Sequence, residues 1–410
     1  FMDAQGQLAW QAPAGNWTIL RIGHTTTGRE NHPGPDGGVG LECDKFSKEA
    51  YSYHFNQFFG KLFEVIAPLA AKGLAGAIID SYETGQQNWT AQFPQEFLKR
   101  RGYNLRQYMP AMLGRVVGSA ESSDRFLWDV RKTQAELMNE NYYGHFAELC
   151  RKHGMKAYIE PYDPGNFDEM PAGAYADIPM GEFWLGQVNH HSIKLAASVA
   201  HVNGKAVVAA ESFTGQTKWQ EHPYSMKTLG DYMYTQGLNN YVFHRFAHQP
   251  HPDVAPGMTM GPWGWFFDRT NTWFEKAGAW LKYVSRAQNM LRQGLFIADL
   301  LYFTGEDSPV VAPGPAQLNP PPPPGYDWDT IDADAIRTRL RINNGRIVLP
   351  DGMSYRVLVL RDSTKLSLGM LQKLRDLVNQ GMWLVSPKPE QSTSLADNDA
   401  EVRRLAAEVW

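Results

Sequence analysis

The chain has 410 residues, 39 Lys and Arg against 43 Asp and Glu, and a net charge of −4. That length calls for two or three domains, and the interspersed charges give no nucleic-acid surface. Thirteen Trp and 18 Tyr supply flat apolar faces with polar edges, a composition suited to sugar rings, although most of them are expected in the core. Cys43 and Cys150 lie in apolar surroundings and are expected as free buried thiols. No run is apolar over the ~20 residues a membrane span needs, and no signal peptide opens the chain.

Residues 1–29 are expected to be the end of an N-terminal β domain. Asn16 to Ile22 alternates after a Pro-Ala-Gly turn, as a strand does. A Gly- and Pro-rich loop follows over 30–40. Ser47 then caps a helix carrying Tyr51, Phe55, Phe59, Leu62 and Ile66 at helical spacing, ended by Pro68 and Gly73. A strand leads from there to Glu83. A helix over 124–153, capped by Ser122 or Ser123 and closed by Gly154, feeds a strand to Glu160. A helix from about Val188 to Val202 feeds the strand to Glu211, and one near 227–236 feeds Tyr241 to Arg245. A helix over 271–293 feeds a strand at 295–302.

Strands alternating with helices predict parallel crossover units, and six or seven can be counted. The fold class is therefore α/β: a (β/α)8-type barrel over 30–308, with an open doubly wound sheet as the alternative. A Pro-rich linker spans 309–325. Residues 326–410 read as a truncated flavodoxin-like α/β domain, from a strand at 355–360, a helix over 367–380 and a strand at 381–385. The chain is expected to be a fragment of a longer protein, whose remaining domains would be its partners.

Four glutamates end or flank extended apolar runs: Glu83, Glu160, Glu182 and Glu211. A parallel barrel places acids around one mouth in this way, and paired carboxylates there point to glycosidic bond cleavage. Glu83 and Glu211 are the best pair, since each follows a strongly apolar strand and precedes small polar residues. A single strand-end glutamate is as often an ion-pair partner, but four shift the balance. Asp80, Glu160 and Glu182 could give oxygen ligands to a hard cation, although no contiguous calcium loop exists. His244, Arg245, His248 and His251 follow a strand and precede Trp263 and Asp268, a mixture suited to hydroxyl recognition and ring stacking. The histidine spacing is poor for zinc. Trp89 forms a subsite wall or a loop anchor, and His190-His191 is assigned to surface or packing. No nucleophile elbow, phosphate loop or dinucleotide fingerprint is present.

Several long motifs carry a family resemblance. Trp17 to Gly28, Gly40 to Ser47, Asp80-Ser81-Tyr82-Glu83, Asp177 to Trp184 and Ala210 to Thr214 together resemble glycoside hydrolase family 106, the α-L-rhamnosidases, over most of residues 15–305. The resemblance implies an inverting enzyme that holds terminal rhamnose with calcium. Glu83 would be the general acid and Glu211 the base. Asp80 and Glu182 would lie by the ion, Glu160 being interchangeable with Glu182, and either with Glu211. Trp89, Glu160, His244, Arg245, His248, Trp263 and Asp268 would contact the carbohydrate. It also implies a periplasmic or secreted setting and polysaccharide degradation. A retaining β-glycosidase and a non-catalytic carbohydrate-binding barrel are the competing readings.

Overall fold

The computed structural model describes all residues except 1, 33, 188–190, 260 and 362–363, and the side chains of 67–72. The beginning of the helix expected from Val188, and His190 with it, lies outside the described residues.

Five parallel strands form the first sheet in sequential order: β1 (Gly76–Ile79), β2 (Lys156–Ile159), β3 (Ile178–Trp184), β4 (Ala209–Thr214) and β5 (Asn240–Phe243). The connections carry helices, as parallel pairing requires. Ala120–Met138, a π-helical turn and His145–Lys152 precede β2. His191–Asn203 joins β3 to β4, and Pro223–Thr235 joins β4 to β5. The sheet forms a curled half-barrel within an α/β fold, where the sequence predicted a (β/α)8-type barrel. The strand expected at 295–302 as a further barrel unit is β6 (Leu300–Phe303), and it leaves the first sheet. It pairs instead with β7 (Trp328–Ile331) and β11 (Val357–Leu360), and β12 (Trp383–Val385) completes a second parallel sheet in the order β12-β11-β6-β7. The Pro-rich segment thus connects two strands of one sheet. β8 (Arg341–Asn343), β9 (Arg346–Val348) and β10 (Ser354–Tyr355) form a small antiparallel sheet.

Local signals account for most element boundaries. The Ser47 hydroxyl accepts from the Ala50 amide at 3.2 Å, as a helix cap should. The helix runs past Pro68 to Gly73. The long helix before β2 is capped by Ser119 through a reciprocal box with Ser122, upstream of the serines expected, because Ser122 serves as the third helical residue. Gly154 closes the second helical stretch with φ +72°.

The strand expected at 16–22 is absent. Among the described residues before Ser47 there are only isolated bridges, and Trp17 and Ile19 are 56% and 60% exposed. Its alternating pattern suits a strand, but among the described residues no neighbouring strand offers the hydrogen bonds a strand needs. Cys43 and Cys150 are free thiols, Cys150 buried and Cys43 half-buried. Among the described residues no helix is long and apolar enough to cross a membrane.

The helix His191–Asn203 approaches the sheet closely where the site is built. A Cβ on Gly181 of β3 would lie 2.5 Å from the Ser192 carbonyl oxygen, so only glycine admits this packing. Ser192 exploits the approach. Its hydroxyl accepts from the Glu182 amide at 3.0 Å and donates to the Glu182 carbonyl at 2.8 Å. The backbone carrying Glu182 is thereby fixed.

Candidate active site

The carboxylates gather at the C-terminal ends of the first sheet, where parallel α/β folds place their sites. Asp80 follows β1, Glu160 follows β2, and Glu182 of β3 stands opposite Glu211 of β4 in the register. Carboxylate oxygens of Asp80, Glu160 and Glu211 all lie within 4.8 Å of one another. In a flat sheet β1 and β4 would be about 14 Å apart, three strand spacings. The curl of the sheet closes that gap.

Three anions at this distance repel, and burial sharpens the conflict. Glu160 is fully buried, and its carboxyl is pushed far above the usual range by desolvation, then by Asp80 and Glu211. Glu211 is pushed up to about 8 by burial, then by Glu182 and Asp80. Only part of the charge is answered by neighbours. The Tyr162 hydroxyl donates to Glu160 Oε2 at 2.7 Å, and Glu160 Oε1 has no partner. Thr214 donates to Glu211 Oε1 at 2.9 Å, and His244 Nε2 lies 3.5 Å from the same oxygen. His244 is lowered to about 4 by burial, then by Arg245, so it is neutral near pH 7. Arg245 interacts electrostatically with Glu211 and Asp80, while its guanidinium donates to the Trp263 carbonyl at 3.0 and 3.2 Å.

These residues fit a hard cation. Calcium takes oxygen ligands at about 2.3–2.6 Å, so oxygens sharing one ion lie within about 5 Å of each other. The three carboxylates meet that condition, and the buried unpartnered oxygen of Glu160 is the kind of atom a cation would satisfy. Among the described residues the cluster is Asp80, Glu160 and Glu211. Glu182, expected beside the ion, stands next to Glu211, and Glu160, expected at the sugar, stands within the cluster.

Glu83 is exposed on the segment beyond β1, between buried Tyr82 and half-buried Thr84, with the Ser81 hydroxyl donating to it at 3.4 Å. The Asp163 carboxyl is raised by burial, then by Glu83 and Glu182. Trp89 is half-buried against Phe93, ring centroids 4.9 Å apart, and stands 6.2 Å from His24. The remaining expected residues are not joined to the carboxylates by any contact among the described residues. His248 is exposed, Trp263 is 45% exposed, and the buried Asp268 receives the Thr270 amide at 3.4 Å within its own turn. His191 lies 3.5 Å from Glu169, away from the cluster.

Sequence reasoning passed over Tyr162, Asp163 and Thr214. Tyr162 stood two residues beyond Glu160, and an aromatic hydroxyl beside a buried acid is a usable signal. Asp163 carries φ +80° and Phe213, two residues after Glu211, carries φ +66°. Non-glycine residues seldom hold such angles, and their clustering around the carboxylates marks a site whose backbone is constrained by its surroundings. Phe213 is held there by packing on Phe183, Tyr241 and Trp265.

Comparison with known proteins places this geometry in context. The family model for α-L-rhamnosidases of glycoside hydrolase family 106 matches residues 1–410. A Formosa agariphila protein bearing the provisional name β-glucuronidase is 43% identical over 416 residues, covering 100% of this chain and 35% of that protein. The structure of a rhamnosidase from Novosphingobium sp. PP1Y superposes with a TM-score of 0.86 at 32% identity, covering 93% of this chain and 38% of that one. A family 42 β-galactosidase from G. stearothermophilus shares the fold alone, with a TM-score of 0.51 at 12% identity over 85% of this chain and 56% of that one. The chain thus spans 35% and 38% of the two nearer relatives described here. With its full-length family match and its strand-end carboxylates, the chain belongs to glycoside hydrolase family 106, the α-L-rhamnosidase family.

Proposed function

We propose that this chain carries the active centre of an inverting α-L-rhamnosidase that removes terminal α-L-rhamnose from oligosaccharides or polysaccharides. The observation that carries the reading is the convergence of Asp80, Glu160 and Glu211 at the strand ends, with Glu182 alongside. Glu83 is the general acid. It gives a proton to the leaving oxygen as the glycosidic bond breaks. Glu211 is the base, taking a proton from the water that attacks the opposite face of the sugar. Thr214 orients Glu211, and neutral His244 beside it leaves that carboxylate's basicity undiminished by a second cation.

Asp80 and Glu160, with an oxygen of Glu211, would hold calcium. Bound there, the ion supplies positive charge that fixes sugar hydroxyls and favours the ionised form of the three acids. Tyr162 keeps its proton, because burial and then Glu160 raise it well above the ordinary phenol range, so it serves as a donor to Glu160. An acid on the segment beyond β1 and a base on β4 suit the gap of about 6.5–9.5 Å that an inverting reaction needs for its water. A periplasmic or extracellular setting fits a polymeric substrate.

The test is turnover of an aryl α-L-rhamnoside by the full-length protein with and without calcium, the product anomer being followed by NMR in the first minutes. β-L-Rhamnose as first product, with activity lost on chelation, is expected. α-L-Rhamnose as first product would replace inversion by retention. The name of the Formosa relative makes an aryl β-D-glucuronide the comparison substrate. Preference for it would overturn the rhamnosidase reading.

A further inference from the structure

We infer that a hollow bordered by the segment carrying Glu83 is the seat of the leaving group, and that it is built for a pyranose sugar. This inference rests on the acid role of Glu83 given above. The hollow has a volume of about 520 Å³, within the range of about 300–1,000 Å³ usual for small-molecule sites. Tyr82, Thr84 and Gly85 line it, so the backbone on either side of Glu83 is its wall. A general acid must reach the glycosidic oxygen, at the boundary between the rhamnose and the leaving group. The segment that carries Glu83 borders the hollow, so the proposed acid sits at the edge of the leaving-group seat.

The lining specifies the occupant. Trp89 gives one flat face, with the His24 ring at its side. Facing segments supply Glu42 and Lys45, whose ammonium and carboxylate groups meet at 2.5 Å with side chains only 6% and 18% exposed. Lys45 also lies over the Tyr82 ring, 5.9 Å from its centroid. A ring face bordered by desolvated charged groups matches a sugar, which offers an apolar face and a rim of hydroxyls. A flat aromatic aglycone would stack on Trp89 but leave the buried pair without hydroxyl partners.

The loop that presents Trp89 is fixed by its own network. Gln87 donates to Asp44 and to the Trp89 carbonyl, and accepts from the Lys45 amide at 3.0 Å. Thr90 donates to Asp44 at 2.6 Å. The wall is therefore preorganised, and ordering it adds little to the cost of binding. Its far side comes from residues 24–27, the stretch that forms no strand. That gives the extended N-terminal segment a role in substrate choice.

The experiment compares α-L-rhamnosyl disaccharides with α-L-rhamnosyl fluoride in the full-length, calcium-loaded protein. Water attacks the anomeric carbon of the fluoride, the carbon–fluorine bond breaks, and fluoride leaves without a proton from Glu83 and without filling the hollow. In Trp89→Ala and in His24→Ala, the ratio of kcat/KM for the best disaccharide to that for the fluoride is expected to fall tenfold or more. Trp89→Phe should restore part of it. His24 is exposed, so that variant tests the site without disturbing the core. An unchanged ratio in both alanine variants would overturn the assignment. Absence of fluoride turnover by the unaltered protein would overturn the rhamnosidase reading itself, and the role of the hollow with it.

Discussion

The two parallel sheets both carry acids in or beside their strands and treat them in opposite ways. In the first sheet Asp80, Glu160 and Glu211 crowd within 4.8 Å of one another, and burial and repulsion raise Glu160 and Glu211. In the second, Asp329 of β7 is fully buried, yet its carboxyl is held below the ordinary range. Burial pushes it up, but His201, Lys194 and Ser198 outweigh that. Ser198 donates at 2.9 Å, His201 lies at 3.0 Å and the Tyr355 hydroxyl donates at 2.9 Å. Glu306, just past β6, is likewise met by Arg337 at 2.6 Å and by the Ser367 amide at 2.7 Å. A strand-end acid is structural when its neighbours answer its charge. It is a candidate for chemistry when other acids surround it.

The comparison can be broken most sharply by neutralising one acid at a time. Glu83→Gln and Glu211→Gln should each lower kcat by about 10²–10⁴-fold with the fold intact, as loss of a general acid or base does. Full activity in either variant, measured on an aryl α-L-rhamnoside, would remove that residue from the mechanism. Asp329→Ala should do the reverse. It should cost about 3–5 kcal/mol of stability in denaturant melts, the penalty for breaking a buried charged pair, and leave kcat per folded molecule unaltered. Tyr162→Phe, which removes the partner of a proposed ligand, should weaken calcium binding by roughly 10–100-fold in calorimetry. Unaltered affinity would separate Glu160 from the ion.

The smallest expected effect concerns pH. Glu211 rises from 4.5 in the unfolded chain to about 8 in the folded one. Between those values the calcium-free folded protein holds a proton that the unfolded chain has released. The contribution of Glu211 to stability is therefore complete below about pH 4.5 and declines as pH rises toward 8. Calcium favours the ionised acids and should raise Tm by more at pH 8 than at pH 5. An equal gain at both would sever the raised acidity from the ion.

How legible all this was in the sequence differed between the same two regions. β1, β2, β4 and β5 and their acids could be read because buried parallel strands are continuous apolar runs ending at a loop. β3 was harder, since Pro179 and Gly181 interrupt its pattern, and it was found through Glu182 rather than as a strand. The cluster itself was not readable, because the closeness of Asp80 and Glu211 depends on the curl of the sheet. Residues 295–302 were assigned to the wrong sheet for a related reason. A strand's sequence carries its burial but not the identity of its neighbours. Residues 16–22 show the opposite failure, with strand alternation and no neighbouring strand among the described residues to complete it. His248, Trp263 and Asp268 were chosen on residue type and on following a strand, which says nothing about where a long loop turns.

The helix His191–Asn203 grips both sheets. Ser192 bonds the backbone of Glu182 on one side, while Lys194, Ser198 and His201 bond Asp327 and Asp329 on the other. For anyone trimming the gene, this sets where a cut can fall. A piece stopping at residue 295 would keep every acid of the cluster but strip the anchors from one face of that helix, leaving Lys194 and His201 without their counter-charges. The shortest version worth expressing therefore runs past Tyr355, which bonds Asp329, even though among the described residues no contact to the carboxylate cluster comes from beyond Arg245.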